Sequence, residues 1–246
     1  MTQTTTSTST ERLHADGYFL VEGLLDDAEC ERHARRLQEY AAGYRIADGV
    51  KPQREPAVER SGKVADDGSD VRKVSGLYHD PLFRALIQHP RIIGHMRDLV
   101  GAPVRLFRAD ALMKPAAVGS AKGVHQDSPY WPVAPMSLWS CWIPFDDATE
   151  DNGCLTVVPG SHRTGPAPHE SVQDDFVIPS EHHAADDLIT VPMRRGTGLF
   201  FHSLLVHGSA ANTSGDPRRA VTMSYLGPDH HATTSTGAEE SWPTVG

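Results

Sequence analysis

His125, Asp127 and His207 are the side chains whose types and spacing best suit chemistry in this chain. Two imidazoles and one carboxylate form a donor set that holds a ferrous ion on one face and leaves the opposite face open to oxygen chemistry. Arg218, eleven positions after His207, adds a planar guanidinium that can grip a carboxylate through two parallel hydrogen bonds. The tripeptide His125-Gln126-Asp127 alone is a weak sign, because chance supplies roughly one His-x-Asp in a chain of this length. Its surroundings carry the weight. A loop over 115–123 precedes it and Ser128-Pro-Tyr-Trp-Pro132 follows, so a short extended segment would put His125 and Asp127 on one side. His207, at the end of Leu204-Leu-Val-His207, is expected on a barrel wall. Arg218 would open a strand beside it and point into the same cavity, with Arg219 on the opposite face in solvent. A zinc-dependent hydrolase could hold a water on the same three ligands, leaving Arg218 without a task. A non-catalytic ligand-binding protein on the same fold is the other alternative.

Composition sets the frame for these residues. A chain of 246 residues, 39% hydrophobic and 22% charged, can bury a substantial core, and one domain is expected. A net charge of -9 disfavours nucleic acid, which requires clustered Lys and Arg. A negative surface also leans slightly against a highly anionic substrate approaching by long-range steering. Runs long and apolar enough for a membrane span are missing from the sequence, so no membrane partner is expected. The Thr- and Ser-rich start reads as a disordered tail over 1–10 rather than a secretory signal, which places the protein in the cytoplasm. Cys30, Cys141 and Cys154, odd in number and without CxxC spacing, fit a reducing compartment and argue against thiolate metal ligands.

The expected architecture is α+β, mainly β. Asp26 or Asp27 can cap a helix over 28–42 that stops at Gly43, and prolines open two more over 81–88 and 90–100. Residues 45–70 between them read as a long loop. From Pro103 onward, short β-prone runs alternate with turns such as Asp151-Asn152-Gly153 and Asn212-Thr-Ser-Gly-Asp-Pro217. The strands are expected at 104–112, 137–144, 154–158, 187–191, 198–201, 204–207 and 219–226. Helices followed by strands suggest a double-sheet jelly roll with the helices packed on one sheet. The single domain is placed at 11–230, helical over about 11–102 and jelly roll over about 103–230, followed by a polar C-terminal tail over 231–246. Proline-containing 164–186 is a candidate lid.

His125-Gln-Asp127, Asn152-Gly-Cys-Leu155, Val158-Pro-Gly-Ser-His162 and His207-Gly-Ser with Asn212 and Arg218 resemble the phytanoyl-CoA dioxygenase family. The resemblance runs from about Gly17 to Leu226. It implies a double-stranded β-helix (cupin-like) fold and Fe(II) held by His125, Asp127 and His207. It also implies 2-oxoglutarate as cosubstrate with O2, Arg218 on the far carboxylate, and Ser209, Trp142 and Lys73 bordering the cosubstrate. The activity implied is hydroxylation of an unactivated C–H bond with release of succinate and CO2. A carboxylate at Asp127 leaves no coordination site for chloride, so halogenation is not expected. Desaturation, epoxidation or ring closure would use the same ligands. By position, Asp110, Met113, Ser128, Tyr130 and Trp131 are candidate substrate contacts, with an apolar wall offered by the two aromatics. Family members of this size suggest a natural-product or modified amino-acid intermediate from secondary metabolism, handled by a monomer or homodimer.

Overall fold

A computed structural model describes residues 15–172, 175–183, 185–234 and 242–246. Helix α1 (Asp27–Ala41) starts at Asp26, whose carboxylate accepts from the Glu29 backbone N–H while the Glu29 side chain accepts from that of Asp26. This reciprocal cap satisfies two backbone donors that a helix start leaves open. Helices α2 (Pro56–Ser61), α3 (Pro81–Ile87) and α4 (Pro90–Val100) each carry proline in the first turn, where its missing N–H costs nothing. Asp80 caps α3 and also takes the Arg36 guanidinium and the Tyr40 hydroxyl, each at 2.6 Å. Those three groups tie α1 to α3.

Fifteen short strands are described. They are β1 (Tyr18–Val21), β2 (Lys51–Arg54), β3 (Val71–Ser75), β4 (Arg105–Lys114), β5 (Lys122–His125), β6 (Val133–Ala134), β7 (Trp139–Pro144) and β8 (Leu155–Val157), followed by β9 (Glu170–Val172), β10 (Asp175–Val177), β11 (Ile189–Val191), β12 (Gly198–His202), β13 (His207–Ser209), β14 (Arg218–Leu226) and β15 (His231–Ala232). A seven-stranded sheet in the order β1-β12-β7-β14-β4-β3-β2 faces a four-stranded sheet in the order β11-β8-β13-β5. All pairings are antiparallel, and the double sheet is the expected jelly roll. The larger core lies between the helices and the outer face of the large sheet, joining Leu37, Phe83, Ile92 and Met96 to Val221, Met223 and Tyr225. A smaller core, with Trp142, Val157, Leu199 and Phe201, closes one end of the space between the sheets. Cys30, Cys141 and Cys154 are free and buried.

Three expectations about the elements are corrected. The part read as helical contributes β1, β2 and β3 to the large sheet, and the stretch read as a loop over 45–70 holds both β2 and α2. β2, Lys-Pro-Gln-Arg at the sheet edge, has no apolar alternation to betray it, and a charged, proline-bearing strand is what an edge tolerates. The strand read over 204–207 starts only at His207, because 203–206 forms the turn that delivers it. Of the residues read as a polar C-terminal tail, 242–246 pack back on the domain, while 235–241, like the tail expected over 1–10, lie outside the described residues. Val104 N–H donates to the Gly246 carbonyl and Leu106 N–H to that of Pro243, and Val245 joins the larger core. Among the described residues no helix is long and apolar enough to cross a membrane.

Candidate functional site

The sequence brings its two metal-type histidines together through strand pairing. His125 ends β5 and His207 opens β13, and the two are directly opposed in register with ring centroids 4.2 Å apart. Asp127 is not extended, as the sequence suggested. Its backbone is helical and begins a turn of 3-10 helix over Ser128–Tyr130, fixed by the Ser203 carbonyl, which accepts from both the Asp127 and Ser128 N–H groups. The turn brings the carboxylate back, with Oδ1 3.8 Å from His125 Nε2. One donor atom from each of His125, Asp127 and His207 lies within 4.8 Å of the others, and all three residues are buried. Among the described residues this is the one cluster of three such side chains with ligand spacing.

The imidazoles are oriented for ligation. His125 Nδ1 is 2.8 Å from the Gly123 carbonyl and His207 Nδ1 is 2.9 Å from that of Leu205. Donation through Nδ1 fixes the tautomer and leaves the Nε2 lone pairs free for a metal. Burial, followed by the neighbouring His207 ring, holds His125 well below the usual histidine range, so it stays a neutral donor.

The motifs around these residues are structural. Gln126 is fully buried; its amide donates to the Gly165 and Leu204 carbonyls and accepts from Ala167 N–H, and its own backbone N–H meets His169 Nε2. This ties the start of the candidate lid to the metal-binding segment, and the β9–β10 hairpin continues it, with Ile178 N–H donating to Val124. The Ser161 hydroxyl accepts from Val206 N–H just ahead of His207. Asn212 donates to the Lys114 and Asp216 carbonyls, fastening the turn before Arg218 to the end of β4.

A cavity of about 430 Å³ opens between the sheets and is lined by His125, Asp127 and His207. Arg218 lines it too, but not from the strand beside His207. β14 lies between β7 and β4 in the large sheet, whereas β13 belongs to the small one, so the arginine faces the triad across the cavity. Ends of strands that are close in sequence sit in opposite sheets of a jelly roll, which the linear pattern does not reveal. The Arg218 guanidinium lies over the Trp142 ring at 5.3 Å, and burial pulls its pKa down to about 10, so it stays charged at neutral pH. Arg218 Nε and Trp142 Nε1 are both buried with no acceptor among the described residues. Two unmet donors on one cavity wall are what an anionic oxygen ligand would satisfy. Arg219 leaves the cavity face as expected, yet it is not merely solvated: it forms a two-pronged pair with Asp146.

The remaining candidates divide. Ser209, Trp142, Lys73, Tyr130 and Trp131 line the cavity. Ser128 does not, because it is buried and its hydroxyl donates to Ser203 at 2.6 Å. Asp110 also stays off the lining, its carboxylate 3.2 Å from Lys73 Nζ. Met113 reaches the cavity edge while packing in the larger core on the other side of β4. Met113 turns to the opposite face by strand alternation, whereas Asp110 shares the face of Arg108 and Leu112 and is held off the lining by Lys73, as Ser128 is by Ser203, pairings that position in the sequence does not show.

Lys114 was not singled out from the sequence. It sits opposite Arg218 in the β4–β14 register, is 4% exposed and lines the cavity, with Nζ 2.6 Å from the Ser120 carbonyl. Burial, and after it the Arg218 charge, lowers its pKa to about 7. The Asn152-Gly153 turn presses on its stem: a Cβ at Gly153, whose φ is +80°, would lie 2.7 Å from Lys114 Cδ. That close approach is a reason for glycine there.

Comparison with known proteins agrees with this geometry. The sequence model of the family Phytanoyl-CoA dioxygenase (PhyH) matches residues 13–220. A probable phytanoyl-CoA dioxygenase of Caenorhabditis elegans is 28% identical over 228 residues, spanning 87% of this chain and 73% of that protein. Among solved structures, the epimerase SnoN in complex with Fe3+, alpha ketoglutarate and nogalamycin RO superposes with a TM-score of 0.70 at 24% identity, covering 92% of this chain and 85% of that one. EctD from S. alaskensis with bound Fe gives 0.73 at 22% identity, over 92% and 78%. With most of its length matched by the family model, the chain belongs to the phytanoyl-CoA dioxygenase family of non-haem iron, 2-oxoglutarate-dependent oxygenases.

Proposed function

We propose that the protein hydroxylates an unactivated C–H bond of a small molecule, a natural-product or modified amino-acid intermediate, with His125, Asp127 and His207 holding Fe(II) and Arg218 binding the far carboxylate of 2-oxoglutarate. The observation that carries the reading is the buried Arg218, its Nε unmet, on the same cavity as a His-Asp-His cluster of ligand spacing. A zinc-dependent hydrolase would leave that guanidinium idle.

With iron and 2-oxoglutarate bound, the site supplies oxidative decarboxylation of the keto acid to succinate and CO2, coupled to two-electron oxidation of the substrate. The chain's own residues prepare for it. The two carbonyl-fixed imidazoles and the Asp127 turn present three donors on one face, leaving the other face toward the cavity. Trp142 backs the guanidinium, Ser209 sits two residues past His207 on the same strand, and Lys73 borders the cosubstrate from β3. Tyr130 contacts the His125 ring edge-on, donates to the Phe176 carbonyl and packs with His169, so these two residues of the candidate lid cover the metal side and limit water. A cavity of about 430 Å³ must take both cosubstrate and substrate, which favours a small substrate. Desaturation, epoxidation or ring closure would differ only in how the substrate lies against the same face.

A screen of candidate small molecules with Fe(II), 2-oxoglutarate and air tests this. Hydroxylation predicts substrate-dependent succinate and a product heavier by one oxygen atom. A product that has lost hydrogen and gained no oxygen would refute hydroxylation, and succinate formation independent of His125 and Asp127 would refute the site.

A further inference from the structure

Among the cationic groups on the cavity wall is one that neither the His-Asp-His cluster nor the Arg218 end uses. Arg108 lies on β4, on the same face as Lys114 and six residues before it. At about 3.3 Å per residue the two are about 20 Å apart along the strand. A five-carbon diacid seated at Arg218 does not span that distance, so Arg108 is available to a different molecule.

Its surroundings leave it short of negative charge. Arg108 Nε is buried and has no hydrogen-bond acceptor among the described residues. Asp110 Oδ2 stands 3.8 Å from it and 3.2 Å from Lys73 Nζ, so one carboxylate faces two cations. Lys122, which also lines the cavity, is already closed on Asp175 at 2.6 Å. The chain carries a net charge of -9, yet this part of the cavity is left positive. With the side chain 31% exposed and Asp110 Oδ2 3.8 Å from Nε, the guanidinium is open to an incoming anion, which would meet the free Nε donor with a charge-assisted hydrogen bond.

The group is also held in place. The Arg108 guanidinium lies 5.2 Å over the Trp131 ring, and Trp131 in turn packs on Phe107 with ring centroids 4.8 Å apart. Trp131 is four residues beyond Asp127, joined to it by the Ser128–Tyr130 turn. A guanidinium fixed against an aromatic face on the wall of the metal cavity is suited to a planar carboxylate.

We propose that Arg108, backed by Trp131, is a subsite for a carboxylate of the primary substrate, so that the molecule oxidised is a small carboxylic acid; this rests on the oxygenase reading of the same cavity. A thioester or amide of the same acid lacks the anion and would not be held there.

The test uses the full-length protein with Fe(II) and saturating 2-oxoglutarate without oxygen, which fills the Arg218 end and prevents turnover. N-acetyl amino acids and their methyl esters are titrated as matched pairs, with binding read by calorimetry. At least one acid should bind ten-fold or more tightly than its ester. Arg108→Gln should bring that pair within two-fold, and Arg108→Lys should keep part of the preference. The affinity of each variant for 2-oxoglutarate reports that the fold and the Arg218 end are intact. Equal binding of acid and ester in every pair, no binding by any acid, or an undiminished acid preference in Arg108→Gln would each overturn the subsite. Admitting oxygen afterwards separates the two claims: an acid that binds through Arg108 without yielding succinate or product contradicts the proposed function and leaves the subsite standing.

Discussion

Replacing Lys114 by methionine should make the protein more stable, by an amount that depends on pH in a stated direction. The ammonium is buried beside Arg218, and its pKa falls from 10.5 to about 7. At about 1.36 kcal/mol per unit, keeping it charged in the fold costs about 5 kcal/mol. Methionine has a similar stem and no charge, but it also removes the donor to the Ser120 carbonyl, which costs about 1–3 kcal/mol. The net gain at pH 6.5 is therefore about 2–4 kcal/mol. Because the folded pKa lies below the unfolded one, the unfolded chain binds the extra proton between pH 7 and about 10.5, and wild-type stability rises with pH across that window. The variant lacks this term, so its advantage is fully present below pH 7 and shrinks steadily above it, reversing between about pH 8.5 and 10. Urea denaturation of both proteins at pH 6.5, 8 and 9.5 reads the difference directly, since other titrating groups cancel. A stability difference that does not change over this range would refute the buried-cation argument. The same geometry predicts that 2-oxoglutarate raises the Tm of the wild type more than that of the variant, because the dianion meets two cations in one protein and one in the other.

His125→Ala, Asp127→Ala and His207→Ala should each abolish iron retention and turnover, read by metal analysis of protein purified without oxygen; full iron loading of any of them would contradict the ligand assignment. Arg218→Ala should raise the KM for 2-oxoglutarate about 10- to 100-fold, the loss of about 1.5–3 kcal/mol expected of a charge-assisted contact, with iron binding unchanged. Trp242→Ala, which removes a ring packed on Phe107 and under Arg105, should destabilise the fold by about 1–2 kcal/mol in denaturant titration, far more than a residue in an unpacked tail would.

What the sequence revealed of the site depended on the range over which each signal acts. His125, Asp127 and His207 were legible because a metal demands particular side chains, whatever joins them. The prolines that open α2, α3 and α4 and the aspartates that cap α1 and α3 act within one turn, and the two longer proline-opened helices and the first helix were readable for that reason. Arg218 was found, but its sheet was not, since the pairing of β14 with β4 and β7 is settled by contacts distant in sequence. Ser128 and Asp110 lie off the cavity lining for a related cause: whether a polar side chain faces the cavity depends on Ser203 and Lys73, which are far along the chain. Lys114 and Arg108 carry no local mark that distinguishes them from surface cations; Lys114 is set apart by burial between paired strands and Arg108 by a buried Nε with no hydrogen-bond acceptor among the described residues. The packing of 242–246 was hidden by its polar approach, although Trp242 and Val245 were the apolar residues able to dock it.

The central claim is that this cavity couples 2-oxoglutarate breakdown to oxygen through the His125, Asp127 and His207 ligands. Incubation with Fe(II), 2-oxoglutarate and isotopically labelled dioxygen, followed by mass spectrometry of the succinate formed, tests it most directly. The account predicts succinate that carries one labelled oxygen atom from the wild type and none from Asp127→Ala. Unlabelled succinate from the wild type, or labelled succinate from Asp127→Ala at the wild-type rate, would contradict it.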